Sequence, residues 1–273
     1  MHGRADLHCH TTASDGSFTP KELVMKAEDM GLSALAVSDH DTVVGLDEAI
    51  AEAKSLEIVN AVEISTEYMG SDVHILGYFI DTKSVAMMDF LAEQRNNRLI
   101  RAYKMVEKLN DLGVPLDMDL VLRNSGDAIG RPHIARAMMQ AKLASSWDEI
   151  FTKYIGKQSP AYVEYGHLDP KEAIEIIIKA KGVPVLAHPG ISQVDYLIDE
   201  LVGYGLEGIE CTYPLHSPSK ELHYRMIAQQ KGLIATGGSD CHGPDSKSGV
   251  ILGKATVGMD VVDMLRNKSK EKQ

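Results

Sequence analysis

Asp6-Leu7-His8-Cys9-His10 closes the first strand-like run of the chain, residues 4–8, and its reading decides the rest. In an extended segment residues i and i+2 face the same side, so His8 and His10 point one way and Cys9 the other. Two imidazoles so placed can grip one divalent ion. Alone, His-x-His is a weak signal; its company makes it specific. Asp15 follows in the next loop, His40 and Glu63 end the next two apolar runs, His188 ends a later one, and Asp240 and His242 follow the last. In α/β barrels the loops after the strands converge on the active site, so donors at strand ends meet there. A histidine kept for packing has no reason to prefer strand ends. His74 is the exception: it falls near the start of its run, which is expected to run antiparallel or to bend inward. Nine donors exceed the three or four that one ion needs and suit two or three. The pattern points to metal-dependent hydrolysis, and to a phosphate ester as its target.

The apolar runs place strands at 4–8, 34–38, 57–64, 72–79, 183–187, 208–211 and 233–236. Helices fall between them. Thr19-Pro20-Lys21-Glu22 reads as an N-cap, a proline at the first helical position and the glutamate of a capping box. Further helices are expected at about 43–55, 170–181, 193–203 and 218–231. Residues 84–157 break the alternation: they are helical in character, with Arg95, Arg98 and Arg101 at helical spacing and no convincing strand. The fold class is therefore α/β, a barrel formed by 1–83 and 158–266, with 84–157 as an α-helical insertion that covers the site as a lid. The Lys-rich tail, 267–273, is expected to be disordered.

Bulk composition narrows the partners. The 273 residues fit one barrel plus an insertion. The net charge of −11 and the lack of a basic stripe argue against gripping a long nucleic acid. Aromatics make up only 5%, with Trp147 the single tryptophan, which argues against a stacking track for a long single strand. A small phosphorylated metabolite, held by metal and one or two arginines, fits better. The three cysteines form no CxxC and suit a reducing compartment. No apolar run of about 18 residues exists, so neither a membrane span nor a signal peptide is expected, and a cytoplasmic location follows. The oligomeric state is left open.

Arg131 and His133, in Gly130-Arg131-Pro132-His133, sit at an expected helix start, where backbone donors and a guanidinium suit phosphate. Lys157 is a candidate for a second phosphate and His216 for a phosphate or leaving-group contact. His223 is expected on a helix surface. His2 and His167 read as ordinary polar residues, and Cys9 and Cys241 as packing. Asp39 and Asp41 flank His40 and either orient ligand imidazoles or cap their loop.

Taken together, Asp-Leu-His-Cys-His-Thr, Ser14-Asp15-Gly16, Val37-Ser38-Asp39-His40-Asp41-Thr42, Ala61-Val62-Glu63-Ile64-Ser65, His74-Ile75-Leu76-Gly77-Tyr78, Ala187-His188-Pro189-Gly190 and Gly238-Ser239-Asp240-Cys241-His242-Gly243 resemble the successive motifs of the PHP (polymerase and histidinol phosphatase) superfamily. The spacing is similar to that of its stand-alone branch of nucleotide and 3′,5′-nucleoside bisphosphate phosphatases. The resemblance implies a distorted (β/α)7 barrel and a trinuclear site. His8, His10, Glu63 and Asp240 would bind the first metal, Glu63, His74 and His188 the second, and Asp15, His40 and His242 the third. Manganese, iron(II) and zinc all suit such N/O donors. Asp15, His40, Glu63 and Asp240 would act catalytically through the metals, a bridging hydroxide attacking phosphorus. The expected activity is a phosphomonoesterase on small nucleotides, of the 5′-AMP or 3′,5′-bisphosphate type. A 5′→3′ exonuclease on short oligonucleotides and a histidinol phosphatase are rivals. An amidohydrolase and a non-catalytic metal-binding domain are more distant ones.

Overall fold

The structure, a computed structural model, describes residues 3–164 and 168–272; His2 and His167 lie outside them. Eight strands are present among these residues: β1 (Arg4–Cys9), β2 (Ala34–Val37), β3 (Glu57–Tyr68), β4 (Ser71–Tyr78), β5 (Val183–Leu186), β6 (Gly208–Thr212), β7 (Ile234–Gly237) and β8 (Val257–Gly258). They form one sheet in the order β7-β6-β5-β4-β3-β2-β1-β8. β1, β2 and β3 are parallel, as are β5, β6 and β7. β4 runs antiparallel to both β3 and β5. The sheet closes on itself along β1, whose first residues pair with β8. Past β7, Asp240 N–H donates to His8 O at 2.8 Å and His10 N–H to Cys241 O at 3.0 Å. The result is the distorted seven-strand barrel, with β8 as a short seal.

The antiparallel β4 resolves the anomaly at His74. A two-residue turn, Met69-Gly70, joins β3 to β4, both residues with positive φ (47° and 73°) as a type I′ turn demands. Reversal puts the first half of β4 beside the last half of β3, so that Ser65 pairs with His74. A residue early in an antiparallel strand thus reaches the same barrel end as residues late in its parallel neighbours.

Inside the barrel, small side chains such as Ala5, Ala34, Ala36 and Ala61 pack with Leu7, Leu76, Tyr78 and Val185. Helices cover the outside. Pro20–Asp29 starts with the expected capping box: Thr19 accepts from Glu22 N–H, and Glu22 reaches back to Thr19 N–H. The expected 43–55 helix is shorter, Leu46–Glu52. The 193–203 helix is reduced to Ile198–Gly203, because Gln193 takes a left-handed conformation (φ 55°) after the short helix Pro189–Ser192.

No strand lies between Tyr78 and Val183 among the described residues. The segment opens with a 27-residue helix, Val85–Asp111, capped by Ser84. Its apolar side chains, among them Met105, Leu109, Ile134, Met138, Ile150 and Ile155, form a cluster of their own. Arginines fasten the long helix to the barrel mouth. Arg98 Nε lies 2.6 Å from Asp41 Oδ2, its Nη2 donates to Ser65 Oγ at 2.7 Å, and Arg95 Nη1 donates to Asp41 O at 3.3 Å.

The tail departs from expectation. The final helix, Met259–Lys270, runs through Asn267, where disorder was expected. Its end is tied down: Ser269 Oγ donates to Lys181 O at 3.0 Å, and Lys272 pairs with Glu207. Lysines near a helix C-terminus also suit its dipole, which a reading of charge alone overlooks. No helix among the described residues is long and apolar enough to cross a membrane.

Candidate metal centre

All nine donors read from the sequence meet at one end of the barrel. Glu63 is the hub. Its Oε2 lies 3.2 Å from His8 Nε2, 3.2 Å from His10 Nε2 and 3.1 Å from His40 Nδ1. Its Oε1 lies 2.9 Å from His74 Nδ1 and 3.0 Å from His188 Nε2. Asp240 Oδ1 stands 3.0 Å from His10 Nε2 and 3.5 Å from His8 Nε2. On the third side Asp15 Oδ1 lies 3.1 Å from His242 Nε2 and its Oδ2 3.9 Å from His40 Nε2.

Three tight donor sets emerge, each with atoms within 4.8 Å of one another: His8, His10, Glu63 and Asp240; His40, Glu63 and His74; and His10, Asp15, His40 and His242. The first matches the expected grouping. In the second His40 stands where His188 was expected, although His188 touches the same carboxylate oxygen as His74. His10 joins the third.

The backbone is bent to bring these groups together. His188 (φ 29°), Asp240 (φ 53°) and Asp41 (φ 50°) all take left-handed conformations, each costing about 1–3 kcal/mol outside glycine. Asp39 fixes the loop after β1: its Oδ1 accepts from Thr11 N–H at 2.7 Å and Ser14 O–H at 2.6 Å, and its Oδ2 from Thr11 O–H at 2.6 Å. Of the two flanking aspartates, Asp39 therefore braces the loop that carries Asp15, and Asp41 anchors Arg98.

Buried carboxylates and imidazoles shift one another strongly in this centre. Burial pushes the Glu63 carboxyl up, but His40, His8 and His74 outweigh it and hold it well below the usual carboxylate range. Burial also raises Asp15, and His242 and His40 overcome it in the same way. Burial would lower His242, yet Asp15 and Asp240 push it up to about 10. Against burial, neighbouring carboxylates raise His8, His10, His74 and His242, whereas burial holds His40 well below the usual imidazole range. The centre also holds buried atoms without a hydrogen bond, among them His8 Nε2, both ring nitrogens of His10, Glu63 Oε2 and Asp240 Oδ1. Unpaired buried polar atoms are costly and rare. His8 Nε2, His10 Nε2, Glu63 Oε2 and Asp240 Oδ1 lie 3.0–3.5 Å from one another as imidazole–carboxylate contacts, grouped tightly enough for one cation to reach several of them. Oxygen and imidazole donors so arranged fit divalent ions.

Two partners escaped the sequence. Glu210, buried on β6, places Oε1 3.1 Å from His8 Nδ1 and accepts from His188 N–H through Oε2 at 2.9 Å. It holds the His8 proton on Nδ1 and so leaves Nε2 facing the centre. A glutamate within a short buried strand was the available signal. Tyr213 donates its hydroxyl to Asp240 Oδ2 at 2.9 Å and keeps Oδ1 for the centre. Glu210→Gln offers one acceptor where two donors need one each. Metal affinity is expected to fall about 10- to 100-fold, measured by competition with a chromophoric chelator.

The substrate-side candidates divide. Arg131 Nη2 and Lys157 Nζ come together over Asp72, at 3.5 and 3.8 Å. His133 and His216 need correction. His133 is fully buried: its Nδ1 accepts from Gly130 N–H at 2.8 Å and its Nε2 donates to Ser14 O at 2.9 Å. Burial lowers its pKa to about 4, so it stays neutral and has no ring atom left for a phosphate. His216 donates from Nδ1 to Cys211 O at 2.8 Å and accepts from Gly190 N–H at 3.2 Å, which braces the His188-Pro189-Gly190 turn. His223 is exposed against Asp195, as expected. Cys9 and Cys241 are buried free cysteines, and Cys9 is held as the thiol by burial.

A barrel carrying such a donor cluster at its strand ends defines a metal-dependent hydrolase. Comparison with known proteins narrows this. The PHP domain model matches residues 6–111. The chain is 34% identical over 249 residues to the 5′-3′ exoribonuclease Rnm of Salmonella typhimurium, covering 88% of this chain and 85% of that one. It is 33% identical over 248 residues to the 3′,5′-nucleoside bisphosphate phosphatase of Chromobacterium violaceum, covering 88% and 87%. A crystal structure from Bifidobacterium adolescentis, assigned to the metal-dependent phosphoesterases, superposes with a TM-score of 0.89 at 31% identity over 97% of this chain and 96% of that one. The chain belongs to the PHP family of metal-dependent phosphoesterases, and it is a phosphoric ester hydrolase.

Proposed function

We propose that the protein hydrolyses terminal phosphate esters of small nucleotides, of the 5′-AMP or 3′,5′-bisphosphate type, over two or three divalent ions held by His8, His10, Asp15, His40, Glu63, His74, His188, Asp240 and His242. The convergence of unpaired donor atoms around Glu63 carries this reading. Such ions polarise phosphoryl oxygens and make a water acidic enough to serve as nucleophile at neutral pH. The protein's own groups prepare the place. Glu63 joins the donor sets, Glu210 and Tyr213 fix which atoms of His8 and Asp240 face inward, and Asp39 holds the Asp15 loop. Arg131 and Lys157, already paired to Asp72, exchange that carboxylate for a substrate phosphate. Residues 84–157 act as an insertion that shields the site from bulk water. Manganese, iron(II) and zinc are the candidate metals.

A second reading, removal of 5′ nucleotides from short oligonucleotides, is favoured by the resemblance to the Salmonella exoribonuclease. Both readings use the same centre. Phosphate and nucleotide release from 5′-AMP, adenosine 3′,5′-bisphosphate and a 5′-phosphorylated trinucleotide, with Mn²⁺ present, separates them. The first predicts inorganic phosphate as the main product, the second a released mononucleotide. Undiminished turnover after chelation and dialysis would contradict both.

A further inference from the structure

A cavity of about 740 Å³ opens beside Asp15, Asp240 and His242. That volume lies within the range of about 300–1,000 Å³ typical of sites that enclose a small ligand. One wall is aromatic. Trp147 begins the helix Trp147–Ile150, and Phe151 begins the π-type turn Phe151–Ile155. Four residues apart on one face, their rings lie 6.1 Å apart with planes only 11° from parallel. Both are half-buried, so the stack is not sealed into the core. Leu215, exposed in the loop after β6, lines the same cavity.

The rest of the lining is richer in cations than the chain as a whole. In a protein of net charge −11, Arg136, Lys247 and Lys254 all border this one cavity. Arg136 donates to Asp15 O at 2.6 Å, while its buried Nε has no hydrogen-bond partner among the described residues. Lys247 pairs with Asp148 at 2.5 Å, and the lining sets three cations beside three carboxylates, Asp148 and the two acids of the metal centre, Asp15 and Asp240. A planar apolar wall, two lysines at the rim and a floor beside the metal centre suit a base, a further phosphate and a scissile phosphate.

We propose that this cavity is the nucleoside subsite: the base stacks against Trp147 and Phe151, and a second phosphate meets Lys247 and Lys254. The inference rests on the nucleotide reading and deepens it. One tryptophan serves one base, in keeping with a small substrate. The second phosphate can be a terminal monoester on the same ribose or the diester to a next nucleotide.

Trp147 is the only tryptophan, so intrinsic fluorescence reports on the subsite directly. With Mn²⁺ present, 5′-AMP is expected to quench it in a saturable manner and ribose 5-phosphate is not. Trp147→Ala should narrow the ratio of kcat/KM for 5′-AMP over ribose 5-phosphate by about 10- to 100-fold, the usual effect of losing a base stack. Trp147→Phe should keep most of that ratio and guards against a folding artefact. In the Lys247→Ala/Lys254→Ala double variant the preference for a second phosphate over 5′-AMP should fall about tenfold. Whether it falls for adenosine 3′,5′-bisphosphate or for the dinucleotide pApA identifies its source. An unchanged ratio in Trp147→Ala, or equal quenching by ribose 5-phosphate, overturns the subsite. If no probe is turned over, the proposed catalysis fails, and the fluorescence titration still decides the subsite.

Discussion

Glu63→Gln should abolish hydrolysis. The carboxylate touches five imidazoles, from His8, His10, His40, His74 and His188, and shares oxygens between two donor sets. Glutamine keeps the shape and removes the charge. It also replaces one oxygen by an NH2 group, which has no lone pair to offer a cation. A fall in kcat/KM of roughly a thousandfold is expected, equivalent to about 4 kcal/mol of lost transition-state stabilisation, together with loss of at least one bound ion per chain. Parallel metal analysis and steady-state kinetics check this. A variant with a full metal complement and turnover within about tenfold, or 1.4 kcal/mol, of the parent would remove Glu63 from the hub.

Gly238→Ala should have the largest effect on stability. Beyond β7 the chain crosses β1 so closely that a Cβ at Gly238 would lie 2.3 Å from His8 Cβ and 2.4 Å from His8 N. The obstruction includes backbone, so no flexible side chain can move aside. The same crossing holds the barrel shut: Asp240 N–H bonds His8 O, and Ser239 N–H bonds the buried Asp6 carboxylate at 2.8 Å. Prying this seam open should cost about 3 kcal/mol and lower Tm by roughly 6–12 °C. It should also loosen the first donor set, since His8 and Asp240 sit on opposite sides of the seam. Calorimetry of the metal-free and metal-loaded forms separates the two effects. A Tm within about 2 °C of the parent would mean that the two segments do not pack as described.

Much of this architecture was legible because the donors sit where a period-two chain puts them. His8 and His10 share a strand face, and Asp240 and His242 follow the strand that lies against it, so local spacing carried three-dimensional information. The capping box at Thr19 and Glu22 was readable for the same reason, being wholly local. The reversal of β4 was not, because Met69-Gly70 lacks the Asn-Gly or Asp-Gly signature of a tight hairpin. His74 alone betrayed it, by falling at the wrong end of its strand. Glu210 was hidden because its partner His8 is 202 residues away. His133 and His216 show the converse problem. Their residue type suits phosphate, but both ring nitrogens of each are spent on backbone groups, a fact that depends on neighbours brought in by other elements. The ordered end of the last helix depends likewise on Phe79, Lys181 and Glu207, which no reading of a Lys-rich tail could supply.

Elemental analysis of the protein, purified without chelator and reconstituted with Mn²⁺, Fe²⁺ or Zn²⁺ in turn, bears most directly on the centre. Two or three ions per chain are expected, with proton release on uptake because His242, held near 10 in the metal-free site, must give up its proton. A stoichiometry of one ion or none, in a protein that still hydrolyses nucleotide phosphates, would contradict the account.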